Sequence, residues 1–366
     1  MKITIVAGAR PNFMKIAPII HEMHAARGRG DRISYRLVHT GQHYDAKMNS
    51  TFFNELDIPP PDVNLGVGSG SQAEQTARIM VRFEQEVSTK KPDLVLVVGD
   101  VTSAMACAIT AKKLHIKVAH VEGGIRSFDT RMPEEINRIV TDSITDYFFT
   151  TSKFANENLR KMGVERKRIL FVGNTMIDTL LRNLHRLEKP AIFDKLGLSN
   201  RGFFVLTLHR PSNVDDAPHL RSVILSIVNG VRGLPIVFPM HPRTARVYSH
   251  LGLRPTNLHA IEPLGYLGFN YLVKRAKAVI TDSGGITEET TVLGVPCMTL
   301  RENTERPETC TVGTNVLLGS DPRRISRAMR LLFAGKWAKG KIPHLWDGRT
   351  SRRIVQHLLR LEHDRG

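Results

Sequence analysis

The chain is poor in cysteine, in aromatic residues and in acidic residues, and each shortage closes off a class of function. Three cysteines in 366 residues, Cys107, Cys297 and Cys310, stand in no metal-like spacing, and so sparse and odd a set argues against a disulfide framework or a thiolate zinc site. Aromatic residues make up 6% of the chain, with no aromatic RNA-binding signature and no low-complexity arm. Long apolar runs are also missing, since nothing approaches the ~20 residues that cross a bilayer. The opening MKITIVAGARP reads as a strand and a turn without a small-residue cleavage site, so a cytoplasmic protein with no membrane partner is expected.

Asp and Glu number 35 against 52 Lys and Arg, for a net charge of +17 and a pI near 10.1. Such a balance invites a nucleic-acid partner. Close to half of the excess, +8, lies in the 46 residues from Asp321 onward. There Arg323, Arg327 and Arg330, then Arg352, Arg353 and Arg360, fall on helix-patterned stretches, which more often make solvated faces than nucleic-acid grips. No nucleic-acid partner is expected. What remains is ordinary: 41% hydrophobic and 24% charged residues, in a chain long enough for two domains of about 150 to 200 residues.

Strands and helices alternate along the first half. Ile3 to Ala7 is an apolar strand, followed by a turn at Gly8-Ala9-Arg10-Pro11 and a helix with Met14, Ile16, Ile19, Ile20 and Met23 on its apolar face. Strands follow at 34–39, 94–98, 117–121, 148–150 and 169–172. Helices are read at 45–56, 72–89, 104–114 and from Pro133 to about Asp146, and the Pro- and Gly-rich stretch 58–71 reads as a loop. A second series begins after the helix of 176–187 and the loop of 190–201, with strands at 203–208, 235–239, 258–261, 278–281 and 295–300 and helices at 217–231 and 266–275. Alternation of this kind predicts parallel sheets covered by helices, in two doubly wound α/β units.

Ligands of such sheets sit beyond the carboxyl ends of the strands. These ends deliver Gly99-Asp100, Glu122-Gly123-Gly124, His209-Arg210, His241 and Asp282-Ser283. Each alone is commonly a helix cap or a surface residue. Together they point to a cleft with a mainly acidic face on the first unit and a His-bearing, phosphate-binding face on the second. The stretch AKAVITDSGGITEETTVLGVPCMTLRENTER from Ala276 to Arg306 reads as strand, tight turn and helix. Its unbonded N–H groups and helix dipole suit a phosphate, with Ser283 adding a hydroxyl and Glu289 one turn in able to accept from ribose. A Gly-Gly pair after a strand is also an ordinary turn. Glu134 joins the acidic set at the helix start Met132-Pro133-Glu134-Glu135, where carboxylates also balance the dipole. Convergence of Asp100, Glu122 and Glu134 would raise one pKa against another and make an acid–base apparatus.

The ordered motifs GARPNFMKIAPI, VVGDVTS, HVEGGIRSFDTRMPEEINR, FVGNTMID, TLHRPSNVD, TDSGGITEET and TERPETCTVGTN resemble those of the non-hydrolysing UDP-N-acetylglucosamine 2-epimerases. The resemblance implies a GT-B fold, with a Rossmann-like acid–base domain over 1–173 and a Rossmann-like UDP-binding domain over 174–348. A C-terminal helix over 349–366 would return to the first domain. It implies interconversion of UDP-GlcNAc and UDP-ManNAc through a 2-acetamidoglucal, with no metal or nicotinamide cofactor, by a homodimer. Matched motif by motif, Asp100, Glu122 and Glu134 would be the acid–base set and His209 would assist departure of the diphosphate. Arg10 and Lys15 would contact the nucleotide or its phosphates, and Ser283, Gly284 and Gly285 would hold the diphosphate. Glu289 would hold the ribose, Arg306 would bind phosphate or sugar, Phe269 would flank the uracil, and His241 would line the cleft.

Departures from the family pattern mark the sugar as open. Many members read Arg-Pro-Glu where this chain has Arg10-Pro11-Asn12, and differ after the His209-Arg210 pair, where Pro211-Ser212-Asn213 stand here. These forms resemble a branch that includes enzymes for UDP-2,3-diacetamido-2,3-dideoxyuronic acids. They also bear on the regulatory second UDP-GlcNAc site of some members, to which Gln42 and His43 would contribute. Gly123 stands where Ala is usual and is expected to loosen its turn. A GT-B glycosyltransferase shares the fold, but no acceptor site can be pointed to.

Overall fold

A computed structural model describes residues 1–42 and 53–363, apart from the side chains of Arg10 and His363. The helix expected over 45–56 lies outside the described residues up to position 52, as does His43. The chain forms two compact units, Met1–Arg182 with His344–Gly366, and Asn183–Pro343.

Among the described residues the first unit carries seven parallel strands: β1 Lys2–Ala7, β2 Ser34–His39, β3 Val63–Asn64, β4 Leu94–Val98, β5 Lys117–Val121, β6 Tyr147–Thr150 and β7 Ile169–Phe171. They lie in the order β3-β2-β1-β4-β5-β6-β7. The second carries six: β8 Phe204–Thr207, β9 Ile236–Pro239, β10 Leu258–Ile261, β11 Ala278–Thr281, β12 Cys297–Thr299 and β13 Asn315–Leu317, in the order β10-β9-β8-β11-β12-β13 and again all parallel. Both are doubly wound, Rossmann-like sheets whose strand order reverses between two neighbours, β1 and β4 in one, β8 and β11 in the other. The expected α/β class is the one observed. The loop expected over 58–71 holds the short strand β3, whose two residues pair with Val38 and His39 and are too few to show any period.

Local chemistry explains the elements that position the site. The run LVLVV of β4 is buried at every residue, as a strand covered on both faces requires. Helix Gln72–Thr89 starts at a capping box, with Ser71 Oγ accepting from the Glu74 N–H and Glu74 Oε2 from the Ser71 N–H, and buries Ile79, Phe83 and Val87 at four-residue spacing. Helix Gly284–Leu293 ends on Gly294 in the left-handed region, φ +65°.

The C-terminal segment is fastened within the first unit. Helix Thr350–His363 packs on helix Arg10–Gly28, and buried Trp346 donates Nε1–H to the Thr151 carbonyl at 3.1 Å. Asp178 accepts from the Thr350 N–H at 3.0 Å and from the Ser351 N–H and hydroxyl at 2.7 Å each, which caps the helix start. Gly173, at φ +104°, passes so close to Leu345 that an added Cβ would stand 2.1 Å from its carbonyl oxygen. Asp178→Ala removes three hydrogen bonds from buried donors, and a loss of about 2 kcal/mol is expected. Calorimetry should show this as a melting point lowered by several degrees; an unchanged melting point would mean that the cap contributes nothing.

Candidate active site

In the first sheet the crossover leaving β1 and the one leaving β4 are tied by Asn12. Its Oδ1 accepts from the Gly8 and Ala9 N–H groups at 3.0 Å each, and its Nδ2 donates to the Val98 carbonyl at 3.0 Å. One helical turn on, Lys15 reaches Glu122 Oε2 at 2.7 Å, with both side chains nearly buried. Gly99, at φ +70°, leaves room for this pair, since a Cβ there would stand 3.0 Å from Lys15 Nζ. Glu122 itself is held at φ +71°, a strained backbone for a residue with a Cβ and one that functional sites retain.

Val98 and Val121 are register partners, so Asp100 and Glu122 follow the ends of adjacent strands. Each meets a different cation. Arg138 donates from Nη2 and Nε to Asp100 Oδ2 at 2.6 and 3.1 Å, and from Nη1 to Glu135 Oε2 at 2.5 Å. Glu135 in turn accepts from Ser127 and from the Phe128 N–H. Beneath them, buried His120 places Nε2 2.8 Å from the Gly99 carbonyl and Nδ1 2.7 Å from Asp142. Both contacts hold the buried ring in place beneath the strand ends. Asp142 also pairs with Arg126 at 2.7 Å. Burial pushes the Asp142 pKa up, but His120 and Arg126 outweigh it and hold the carboxyl below its ordinary value.

At the corresponding position of the second sheet, Asp282 ends β11 and reaches across to the end of β8. Its fully buried carboxylate takes His209 Nδ1 at 2.8 Å, the His209 N–H at 3.0 Å, the Arg210 N–H at 2.9 Å and Asn213 Nδ2 at 3.1 Å. Burial would raise the Asp282 pKa; His209, Arg210 and Asn213 together lower it. The next residues, Ser283, Gly284 and Gly285, open helix Gly284–Leu293 and are partly exposed. Around Gly284 stand Arg306 and Arg301, whose Nη1 atoms lie 3.6 and 3.8 Å from where a Cβ would be. Arg306 is held by Glu288, and Arg301 by both oxygens of Glu305 at 2.7 Å. A helix N-terminus flanked by two guanidinium groups that carboxylates hold in place is suited to a diphosphate.

Glu289 is buried in the second turn of the same helix, just past the first. Burial lifts its pKa to about 7, against hydrogen bonds from Tyr266 and from Asn270 Nδ2 at 3.4 Å, with Glu288 adding repulsion. Phe269 lies half-buried on the helix that carries Tyr266 and Asn270. His241 caps helix Pro242–Ser249, its Nδ1 accepting from the Arg243 N–H at 3.3 Å, and is exposed.

Of the residues singled out from the sequence, Asp100, Glu122 and Lys15 cluster at the first sheet's strand ends, and His209, Ser283, Gly284, Gly285, Glu289 and Arg306 gather around Asp282 and the helix it precedes. Glu134 is exposed on the first turn of its helix, whereas its neighbour Glu135 is buried on Arg138. The side chain of Arg10 lies outside the described residues. Gly123 does not loosen its turn as expected: a Cβ there would stand 2.9 Å from the Phe148 ring, so the glycine admits a close approach. Arg138, His120 with Asp142 and Asn213 were missed as contributors because their partners lie far off in sequence, and Asn12 and Arg301, although Gly8, Ala9 and Glu305 are near them in the chain, because nothing in the spacing marks a side chain as a brace.

A buried carboxyl with a raised pKa favours folding while it is protonated. The stability Glu289 contributes should be complete below pH 4.5, its unfolded value, and lost as pH rises through about 7. Unfolding free energies of the native protein and of Glu289→Gln, compared between pH 4.5 and pH 8, should diverge by about 3 kcal/mol in the variant's favour. Parallel curves would contradict the shift.

Residues 26–359 match the UDP-N-acetylglucosamine 2-epimerase family model. A UDP-N-acetylglucosamine 2-epimerase of Methanocaldococcus jannaschii is 40% identical over 98% of this chain and 99% of its own length. A UDP-2,3-diacetamido-2,3-dideoxy-D-glucuronate 2-epimerase of Pseudomonas aeruginosa is 39% identical over 99% of this chain and 100% of its own. The crystal structure of the M. jannaschii enzyme with UDP-GlcNAc and UDP superposes with a TM-score of 0.88, covering 98% of this chain and 100% of that one. The two parallel sheets and these matches agree, and the chain belongs to the UDP-N-acetylglucosamine 2-epimerase family.

Proposed function

We propose that this protein interconverts UDP-N-acetylglucosamine and UDP-N-acetylmannosamine by inverting C2. The observation that carries the reading is the pair of strand-end carboxylates, Asp100 and Glu122, each held by its own cation, Arg138 or Lys15. Two carboxyl groups with separate partners can differ in protonation, as a reaction that removes a proton on one face and returns one on the other requires.

The reaction balances without an oxidant or a reductant. A carboxylate of the set Asp100, Glu122 and Glu134 takes the C2 proton, the C–H electron pair forms the C1–C2 double bond, and the C1–O bond breaks with its pair on the β-phosphate oxygen of UDP. His209, the N–H groups at Ser283, Gly284 and Gly285, and Arg306 oppose the growing negative charge on the diphosphate. Protonation of the 2-acetamidoglucal at C2 from the other face and attack of UDP on C1 complete the inversion. Glu289 holds the ribose hydroxyls, Phe269 the uracil, and Lys15, Arg10 and His241 complete the substrate contacts. The first unit thus supplies acid–base chemistry and the second holds UDP, in a cytoplasmic homodimer.

The P. aeruginosa relative keeps the diacetamido uronate sugar as a second reading. One feature of the chain tempers it. Asn12, which departs from the commoner family pattern, spends its amide on Gly8, Ala9 and Val98 and so braces the backbone. The two nucleotide sugars should be offered separately, and UDP-N-acetylglucosamine should give the higher kcat/KM; the reverse order would reassign the substrate.

Asp100→Asn should lower kcat by about 10²–10⁴-fold and leave UDP affinity unchanged. Glu122→Gln should do the same, with a lower melting point because Lys15 is left buried beside a neutral amide. Near-native turnover in both variants would remove the carboxylates from the mechanism. His209→Ala should slow diphosphate departure, and an unchanged rate would exclude its role.

A further inference from the structure

We propose that Asp282 is the positioning residue of the reaction: it fixes the proton of His209 on Nδ1 and turns Nε2 outward to the diphosphate. The inference rests on the reading above for the location of the diphosphate, and on geometry for the rest. Asp282 is wholly buried while the His209 side chain is 47% exposed, and Nδ1 lies 2.8 Å from Oδ1. The other oxygen accepts from the N–H groups of His209 and Arg210 and from Asn213 Nδ2, and Asn213 is itself fixed by the Leu300 carbonyl at 3.0 Å. A carboxylate with one oxygen committed to three donors cannot rotate away from the ring. Its remaining oxygen only accepts, so Nδ1 must carry hydrogen. Nε2 is then the atom left to face an anionic ligand, and with a second proton there the ring donates to a departing phosphate oxygen.

Asp282→Asn tests this because the amide is nearly isosteric. Its oxygen can keep the three donors only by turning its NH₂ toward Nδ1, which then becomes an acceptor, and the ring goes over to the neutral Nε2–H tautomer. Nitrogen-15 spectra of the UDP-bound native protein should show a protonated Nδ1 on His209, and those of the variant an unprotonated one. The variant's kcat should fall by about 10²-fold with KM little changed, and in a His209→Ala background the same substitution should have no further effect on kcat. An unprotonated Nδ1 in the native protein, or an Asp282→Asn loss that persists undiminished without His209, would overturn the proposal. If the native protein epimerises neither nucleotide sugar, the proposed function fails, and the imidazole spectrum alone still decides where Asp282 holds the proton.

Discussion

A strand cannot reach a parallel neighbour through a tight turn, so every strand here must be followed by a crossover that leaves from the same edge of the sheet. Where the strand order reverses, two crossovers leave in opposite directions and expose backbone donors that no ladder satisfies. One side chain closes the gap in each sheet. Asn12 binds the N–H groups after β1 and the carbonyl ending β4; Asp282 leaves β11 and binds the N–H groups after β8. The functional side chains are set on these two braces. Lys15 follows the first by one turn, and His209 sits on the second.

Charge is distributed in keeping with that plan. The surface carries most of a net +17, whereas the buried cations near the site are each matched: Lys15 with Glu122, Arg138 with Asp100 and Glu135, Arg301 with Glu305, Arg306 with Glu288. Buried pairs of this kind recover little more than their desolvation cost. What they supply is fixed position. A guanidinium already held by a carboxylate meets the incoming anion without first losing side-chain freedom. Glu289 is the exception, a buried carboxyl surrounded by neutral donors and beside Glu288, and its pKa rises to about 7.

Much of this was legible in the sequence, for reasons that differ between elements. Helix Gln72–Thr89 and strand Leu94–Val98 have the bounds that their apolar period and capping residues predict, while β3 and β13, of two and three residues, leave no period to read. The rule that ligands lie beyond strand ends was enough to find Asp100, Glu122, His209 and Asp282. It could not find their partners, because Arg138 lies 38 residues from Asp100 and Asp282 lies 73 from His209. Nor could it separate Glu134 from Glu135, adjacent carboxylates of which one is exposed and the other buried on Arg138; only packing assigns those directions.

The mechanism turns on a strand-end carboxylate that exchanges the C2 proton while the diphosphate leaves and returns. Proton NMR of UDP-N-acetylglucosamine incubated with the protein in D₂O tests it most directly. UDP-N-acetylmannosamine with deuterium at C2 and the nucleotide still attached is the expected product. Epimer that keeps its protium would mean that the C2–H bond is never opened to solvent, and release of free N-acetylmannosamine with UDP would show hydrolysis in place of re-addition; either result would rule this mechanism out.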